Sequence, residues 1–421
     1  MKRTKPALAA LLIGGCLLAS AMSVDADTTV PFGTANAELD ADLPASFDLR
    51  SEQGRSMVAD FAKSHGLAVG EAQRVFEDSS SIAEFLEAHR DDERFGELWA
   101  TYDRGYEIHV RYLADDFDLE IAALEQRIGR AVTIHRGGSS STELSAAVDY
   151  LTTNGIPYEP DITKGVLRVF SETFPTAKGA KASDLDRMGA ITVEQGAPPK
   201  YQTVDHSRSG ADVWWSNNGS WSLQCTAAAM WKGTGQWSGM TGYLWAAHCP
   251  NLVPSYTYVD GGYSHGSFAT MHTVCGPGGD WELIRFSVPK NEHETFLDKR
   301  FNPAVETPFR IAGGYYVGQP SFKVGLSTNG STGTNMGSVA AYATSEVGVA
   351  CEAVRPHLRY WHQGTGGDSG GPVFLFYNNE WYLGAVHNGY ESSFGGFQYG
   401  SAIWDISVPQ GHLCSLTSPC T

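Results

Sequence analysis

Positive charge is scarce in this 421-residue sequence: 30 Lys and Arg stand against 47 Asp and Glu, a formal net charge of -17. Without a basic footprint the chain does not read as a nucleic-acid binder. Long apolar runs are scarce too. After Leu18 none is long enough to cross a bilayer, so the rest of the chain reads as soluble, with no stable membrane span. No CxxC pair occurs, which argues against a zinc site. Charged residues are only 18 % of the chain beside 42 % hydrophobic. That balance excludes global disorder and allows a sizeable core.

What is present is unevenly distributed. Lys2, Arg3 and Lys5 open the chain, Ala7 to Leu18 is apolar, and Ala19-Ser20-Ala21 offers small residues for cleavage. Residues 1–21 therefore read as a signal peptide, and the protein as secreted. Ile13-Gly14-Gly15 before Cys16 leaves a competing reading, a lipoprotein signal with a lipid anchor through Cys16. The other six cysteines are Cys225, Cys249, Cys275, Cys351, Cys414 and Cys420, all in the second half. An even number in an exported chain reads as a disulfide framework. By count, residues 27–205 hold 32 acids against 17 Lys and Arg, and residues 206–421 hold 14 against 10. The change in charge texture suggests a boundary near residue 200.

Residues 45–130 read mainly as helix, with apolar three- and four-residue spacing over Ser51 to His65, Val69 to His89 and Asp116 to Arg130. Tyr106 to Tyr112 alternates like a strand, and Ala131 to His135 and Gly165 to Phe170 are further strand candidates. Ser141 to Asn154 reads as helix, with Thr142 as its N-cap and Gly155 as its stop. This first segment is therefore α+β. Residues 195–220 read as an exposed linker where proteases cut. Beyond 220, strand-like runs alternate with Gly, Asn and Ser turns, which predicts an all-β barrel or sandwich. The clearest hairpin is Val373 to Tyr377, a turn at Asn378-Asn379, then Trp381 to Val386. Ten of eleven Trp follow residue 205. They read as core packing first and as a sugar- or peptide-binding face second.

The chemistry is concentrated in Gly366-Gly367-Asp368-Ser369-Gly370-Gly371-Pro372. A serine hydroxyl needs a base to take its proton and donors to receive the developing charge. Glycines allow a tight turn that exposes Oγ and gathers backbone N–H groups, with those of Gly367 and Ser369 as oxyanion donors. The candidate base is His248, which ends the apolar run Leu244-Trp245-Ala246-Ala247. Cys249 directly behind it, bridged to Cys225, would pin its loop. The third member should be a carboxylate that orients the imidazole. Asp280 opens the strand Trp281 to Phe286 after Gly278-Gly279; Asp260 and Asp298 are its rivals.

Ala246-Ala247-His248-Cys249, Asp280 before an apolar strand, and Gly367-Asp368-Ser369-Gly370-Gly371-Pro372 resemble the three catalytic blocks of chymotrypsin-like serine peptidases, in that family's order. The compact spacing resembles the bacterial branch that includes α-lytic protease and the streptogrisins. The resemblance covers about residues 210–421. It implies a double β-barrel serine peptidase domain over 206–421, hydrolysing peptide bonds of protein or peptide substrates through an acyl-enzyme on Ser369, without a cofactor. It also implies a folding pro-region, here α+β over 22–205, as the domain's own partner and part of a zymogen. An independent binding domain is the alternative for that half. By the family's mapping Gln363 and Gly364 form the pocket base, and Val386-His387-Asn388-Gly389 the later pocket strand. No acid stands there, so Lys or Arg preference is not expected. His387 replaces a common Ser: it would contact Asp280, or turn the pocket toward acidic or polar side chains, or be a partly exposed strand-end His. Cys275–Cys351 and Cys414–Cys420 are the remaining pairings suggested, with two alternatives for those four cysteines. A dead protease-fold binding protein and a serine esterase stay open as other readings of the whole chain.

Overall fold

The structure is a computed structural model that describes residues 47–89, 91–114, 116–154, 156, 158–161, 163–170, 189–194, 201–203, 211–217, 220–249, 257–260, 263–276, 279–286, 295–298, 305–324, 335–344, 356–361, 369–391, 397–406 and 408–415. The signal segment lies outside these residues.

Helices α1 (Glu52–His65) and α2 (Val69–His89) come first. Ser51 caps α1, its hydroxyl accepting from Gly54 N–H at 2.9 Å, and Gly66 ends the helix in the left-handed region at φ 66°. Strands β1 (Phe95–Thr101), β2 (Glu107–Tyr112) and β3 (Thr133–Arg136) form one sheet, with α3 (Asp118–Ile128) crossing between β2 and the parallel β3. Helix α4 (Ser141–Thr153) packs against a second small sheet of β4 (Tyr158–Asp161), β5 (Val166–Phe170) and β6 (Ile191–Glu194). The expected cap at Thr142 is corrected to Ser140. Its hydroxyl accepts from Glu143 N–H at 3.2 Å while the Glu143 carboxylate accepts from Ser140 N–H at 2.8 Å. That reciprocal pair is a capping box, a spacing the sequence carries as Ser140-Ser141-Thr142-Glu143.

The second half is β. Its strands are β7 (Tyr201–Thr203), β8 (Ala211–Asn217), β9 (Ser220–Ala227), β10 (Ala229–Gly233), β11 (Thr241–Trp245), β12 (Thr257–Asp260), β13 (Tyr263–Gly276), β14 (Gly279–Phe286), β15 (Thr295–Asp298), β16 (Val305–Pro308), β17 (Arg310–Ile311), β18 (Pro320–Lys323), β19 (Asn335–Thr344), β20 (Pro356–Trp361), β21 (Pro372–Tyr377), β22 (Glu380–Glu391), β23 (Phe397–Ala402) and β24 (Gly411–Leu413). The linker expectation for 195–220 is corrected: β7 and β8 lie in it. Val213-Trp214-Trp215 is a strand-forming run that pairs locally with β9, whereas β7 owes its form to a distant strand.

One sheet orders β12-β13-β14-β11-β10-β24, and a larger one runs β17-β22-β21-β18-β19-β20-β23, with β22 also pairing β23 and β7. Hairpin β21–β22 turns at Asn378 and Asn379, both at positive φ (48° and 58°). That is the two-residue turn which Asn-rich hairpins favour. Both strands are almost wholly buried, which their unbroken apolar runs require. Trp231, Trp245, Trp281 and Trp381 are core residues.

The helices share this core. One hydrophobic cluster contains Phe61, Phe76 and Tyr102 together with Phe376 and Trp381. The Phe76 ring lies 5.0 Å from Phe376, and Phe47 lies 6.0 Å from Phe376 and 5.9 Å from Trp381. Polar ties cross as well. Tyr377 hydroxyl donates to Ala83 O at 3.1 Å, Gln53 Nε2 to Thr307 Oγ1 at 2.7 Å, and Ala100 N–H to Val317 O at 2.8 Å. No described helix is long and apolar enough to cross a membrane.

Candidate active site

His248 and Asp280 are brought together by a ladder. Strand β11 pairs antiparallel with β14, placing Leu244 opposite Leu283 and Trp245 opposite Glu282. Leu244, Trp245, Ala246 and Ala247 are buried, which anchors the short turn that follows β11, and Cys249 N–H donates to Ala246 O at 3.2 Å to close it. His248 stands in that turn, three residues past Trp245, and Asp280 lies on β14 two residues before Glu282. Nδ1 of His248 lies 2.5 Å from Asp280 Oδ2, and the backbone N–H of His248 donates to Asp280 Oδ1 at 2.9 Å. Both side chains are 5 % exposed. A buried carboxylate at Nδ1 holds the ring proton there and leaves Nε2 with its lone pair, the form a general base needs. Gly279, at φ 122°, starts the strand in a conformation side chains rarely adopt.

Asp280 is tied to the larger sheet as well. Its N–H donates to Ser401 Oγ of β23 at 3.2 Å. The Asn388 amide accepts from that hydroxyl at 2.9 Å and donates to Val386 O at 2.8 Å and His387 O at 3.2 Å. Ser401 and Asn388 are both buried. The sequence names Asn388 only as part of the pocket strand, and Ser401 carries no signal of its own, because a link between separate strands leaves no local pattern.

Ser369 leads into β21. It is 1 % exposed, and its Oγ donates to Asn388 O at 3.4 Å. Three backbone bonds hold its turn: Thr226 N–H to Ser369 O at 2.8 Å, Gly370 N–H to His387 O at 2.7 Å, and His387 N–H to Gly371 O at 2.8 Å. Gly370 has φ +88°, and a Cβ there would stand 2.1 Å from Thr226 O and 3.2 Å from Ala246 N. The glycine thus lets the Ser369 turn close onto the backbone two residues before His248.

His387 lies inside β22 and is 1 % exposed, which removes the reading as a partly exposed strand-end residue. Its Nδ1 is 2.5 Å from the Tyr360 hydroxyl of β20. The backbone of Asp280 is met by Ser401, one residue along from Gly400, the partner of His387 on β23. Gly389 lies opposite Tyr399 on one side and Thr203 on the other. Gln363, Gly364 and Gly367 lie outside the described residues, as do Cys351 and Cys420 and the side chain of Cys225. Asp260, a rival to Asp280, sits at the end of β12 opposite Tyr263, and Asp298 sits in β15.

Close to the pair is a second buried carboxylate. Glu282 is 1 % exposed and accepts from Trp245 Nε1 at 2.7 Å, Thr270 Oγ1 at 2.6 Å and Thr273 Oγ1 at 3.0 Å. Burial pushes its carboxyl above the usual range, and the three donors oppose that shift. It braces the strands that carry His248 and Asp280.

No family model matches the sequence, and no curated protein matches it. Solved structures that the chain resembles include several proteases. A glutamic-acid-specific serine protease, described as using a histidine triad in substrate binding, aligns at 22 % identity and TM-score 0.35 over 46 % of this chain and 92 % of that one. A Nocardiopsis protease aligns at 17 % identity and TM-score 0.34 over 48 % and 93 %. The active form of the Rv3671c protease from M. tuberculosis aligns at 13 % identity and TM-score 0.29 over 46 % and 85 %.

Proposed function

We propose that the chain is a secreted serine endopeptidase, made as a precursor, that cleaves peptide bonds through an acyl-enzyme on Ser369. The observation that carries this reading is the buried His248–Asp280 pair at 2.5 Å beside a turn that holds the Ser369 hydroxyl. In the reaction Ser369 Oγ attacks the substrate carbonyl carbon while His248 Nε2 takes its proton and passes it to the leaving amine. Asp280 stabilises the imidazolium, and the N–H groups of Gly367 and Ser369 receive the oxyanion. Water then reverses the sequence and frees the acid product. The catalytic half adopts a double barrel, with the site between the two large sheets. Residues 22–205 act as the folding pro-region; the core they share with the larger sheet supports this.

Gln363, Gly364, His387 and Gly389 line the substrate pocket. With no acid among them and a buried His at 387, the pocket favours acidic or polar side chains over Lys and Arg. The reading pairs Cys225 with Cys249, and Cys275 with Cys351 and Cys414 with Cys420 among three arrangements of those four.

The test is the intact mass of the secreted product for wild type and Ser369→Ala. The reading expects wild type to be cut between residues 195 and 220 while the variant stays long. If both stay long, self-processing is refuted and a permanent first domain is favoured.

A further inference from the structure

The β11–β14 ladder ends at Trp245 and Glu282, two residues short of Asp280. The backbone N–H of Asp280 is met instead by a residue of the larger sheet, Ser401 of β23, whose Oγ accepts at 3.2 Å. A serine hydroxyl has one proton to give. Two acceptors flank it, the Asn388 amide oxygen at 2.9 Å and Asp280 O at 3.3 Å, and the shorter bond takes the proton. Asn388 owes its place to a bulge. Along β22, His387 lies opposite Gly400 and Gly389 opposite Tyr399, so two steps on β22 match one on β23 and Asn388 is the extra residue. A bulge re-aims a side chain. Here it leaves two consecutive side chains buried, His387 at 1 % exposure and Asn388 at 0 %. The Asn388 NH2 donates to Val386 O and His387 O, which can only accept, and this turns the amide oxygen toward Ser401. His387 O also accepts from Gly370 N–H in the Ser369 turn, and Asn388 O accepts from Ser369 Oγ at 3.4 Å. Asn388 therefore meets the nucleophile's turn on one side and, through Ser401, Asp280 on the other.

Resting on the reading of Ser369 as nucleophile, we infer that Asn388 and Ser401 are linked positioning residues of the reaction. Both are buried, and neither takes a proton from the reacting groups. Ser401 sets where the Asp280 backbone lies, and with it the bond from Asp280 to His248 Nδ1. The Asn388 amide orients the Ser401 hydroxyl and ties it to the carbonyl that anchors the Ser369 turn. Asp280 belongs to one sheet and Ser369 leads a strand of the other. The tie therefore sets the spacing between the two halves of the triad, where a misplacement of about 1 Å costs on the order of 10²-fold in rate. Glu282, the other buried acid of β14, takes no part, since its oxygens are engaged by Trp245, Thr270 and Thr273.

The geometric part is tested without catalysis, by proton NMR of full-length Ser369→Ala. The proton on His248 Nδ1, deshielded by its short charge-assisted bond to Asp280, resonates downfield of the amides and is assigned by its loss in His248→Ala. Adding Ser401→Ala or Asn388→Ala is expected to move it upfield, because a longer bond shields the proton. An unmoved resonance in a folded variant overturns the inference. Ser401→Ala deletes a single oxygen, so it decides the matter should Asn388→Ala not fold. The catalytic part is read on the secreted product in the Ser369 background, for wild type, both single variants and the double. With a fluorogenic peptide, kcat is expected to fall about tenfold to a hundredfold while KM stays within about threefold, since misplacement at the reacting atoms spares binding. The double variant should lose far less than the product of the two single losses; losses that multiply overturn the link. A variant that unfolds at lower temperature yet keeps both the resonance and kcat has lost structure alone, which also overturns the inference. If wild type hydrolyses no peptide, the peptidase reading itself fails, and the resonance still decides whether the pair fixes Asp280 against His248.

Discussion

Replacing Asp280 with Asn keeps the shape of the site and changes only what its two oxygens can do. In the wild type both accept: Oδ1 from His248 N–H at 2.9 Å and Oδ2 from Nδ1 at 2.5 Å. Asn has one acceptor for two donors. Turning its NH2 away from the backbone donor sets it against Nδ1, so the ring must carry its proton on Nε2 and can no longer take one from Ser369. Turning it the other way buries two facing donors, which costs about 1–3 kcal/mol. Either way the charge that stabilises the imidazolium is lost. The expected loss in kcat/KM is on the order of 10⁴-fold at neutral pH, about 5 kcal/mol of transition-state stabilisation. The assay is steady-state hydrolysis of a fluorogenic peptide by processed enzyme, with thermal unfolding as the folding control. A loss of less than about tenfold in a folded variant would refute the triad argument.

Other perturbations separate the roles of nearby groups. Gly370→Ala forces a side chain into φ +88° against Thr226 O; the displaced Ser369 turn is expected to lower kcat/KM on the order of 10²-fold, and wild-type rates would contradict the packing argument. Glu282→Leu strips the acceptor from Trp245 and two threonines, costing about 1–3 kcal/mol in urea unfolding. Glu282→Gln can accept from the indole and donate to the hydroxyls, so it should retain most of that; equal losses would refute the hydrogen-bond account. Asp78 on α2 is 8 % exposed, and its Oδ2 has no partner among the described residues. Burial pushes its carboxyl up from 3.8 to about 6 against the pull of Arg130. Because the folded value lies above the unfolded one, this stabilising contribution is full below pH about 4 and gone above about 6, worth about 1–3 kcal/mol. Asp78→Asn should flatten that part of the pH–stability curve, and an unchanged slope between pH 4 and 7 would contradict it.

Local patterns were the legible part of the chain. Helices α1, α2 and α3 were marked by apolar spacing, and the β21–β22 hairpin by two apolar runs around Asn378-Asn379, because these signals act within a few residues. The Ser140 cap is legible in principle too, because Ser140 and Glu143 stand at capping-box spacing. The contributions of Ser401 and Tyr360 were not readable, nor was the Asn388–Ser401 link, since each depends on pairing between strands far apart in sequence. Strand β7 shows the same limit: nothing in Tyr201-Gln202-Thr203 demands a strand, and the edge of β22 supplies the reason. The proximity of His248 to Asp280 follows from the β11–β14 register, which the sequence suggested only through its two apolar runs.

The most direct measurement is reaction of the processed enzyme with a serine-directed phosphonate, followed by peptide mapping. The account predicts one modified residue, Ser369, with labelling lost in His248→Ala. Labelling at another serine, or labelling of Ser369 that is as fast without His248, would contradict it.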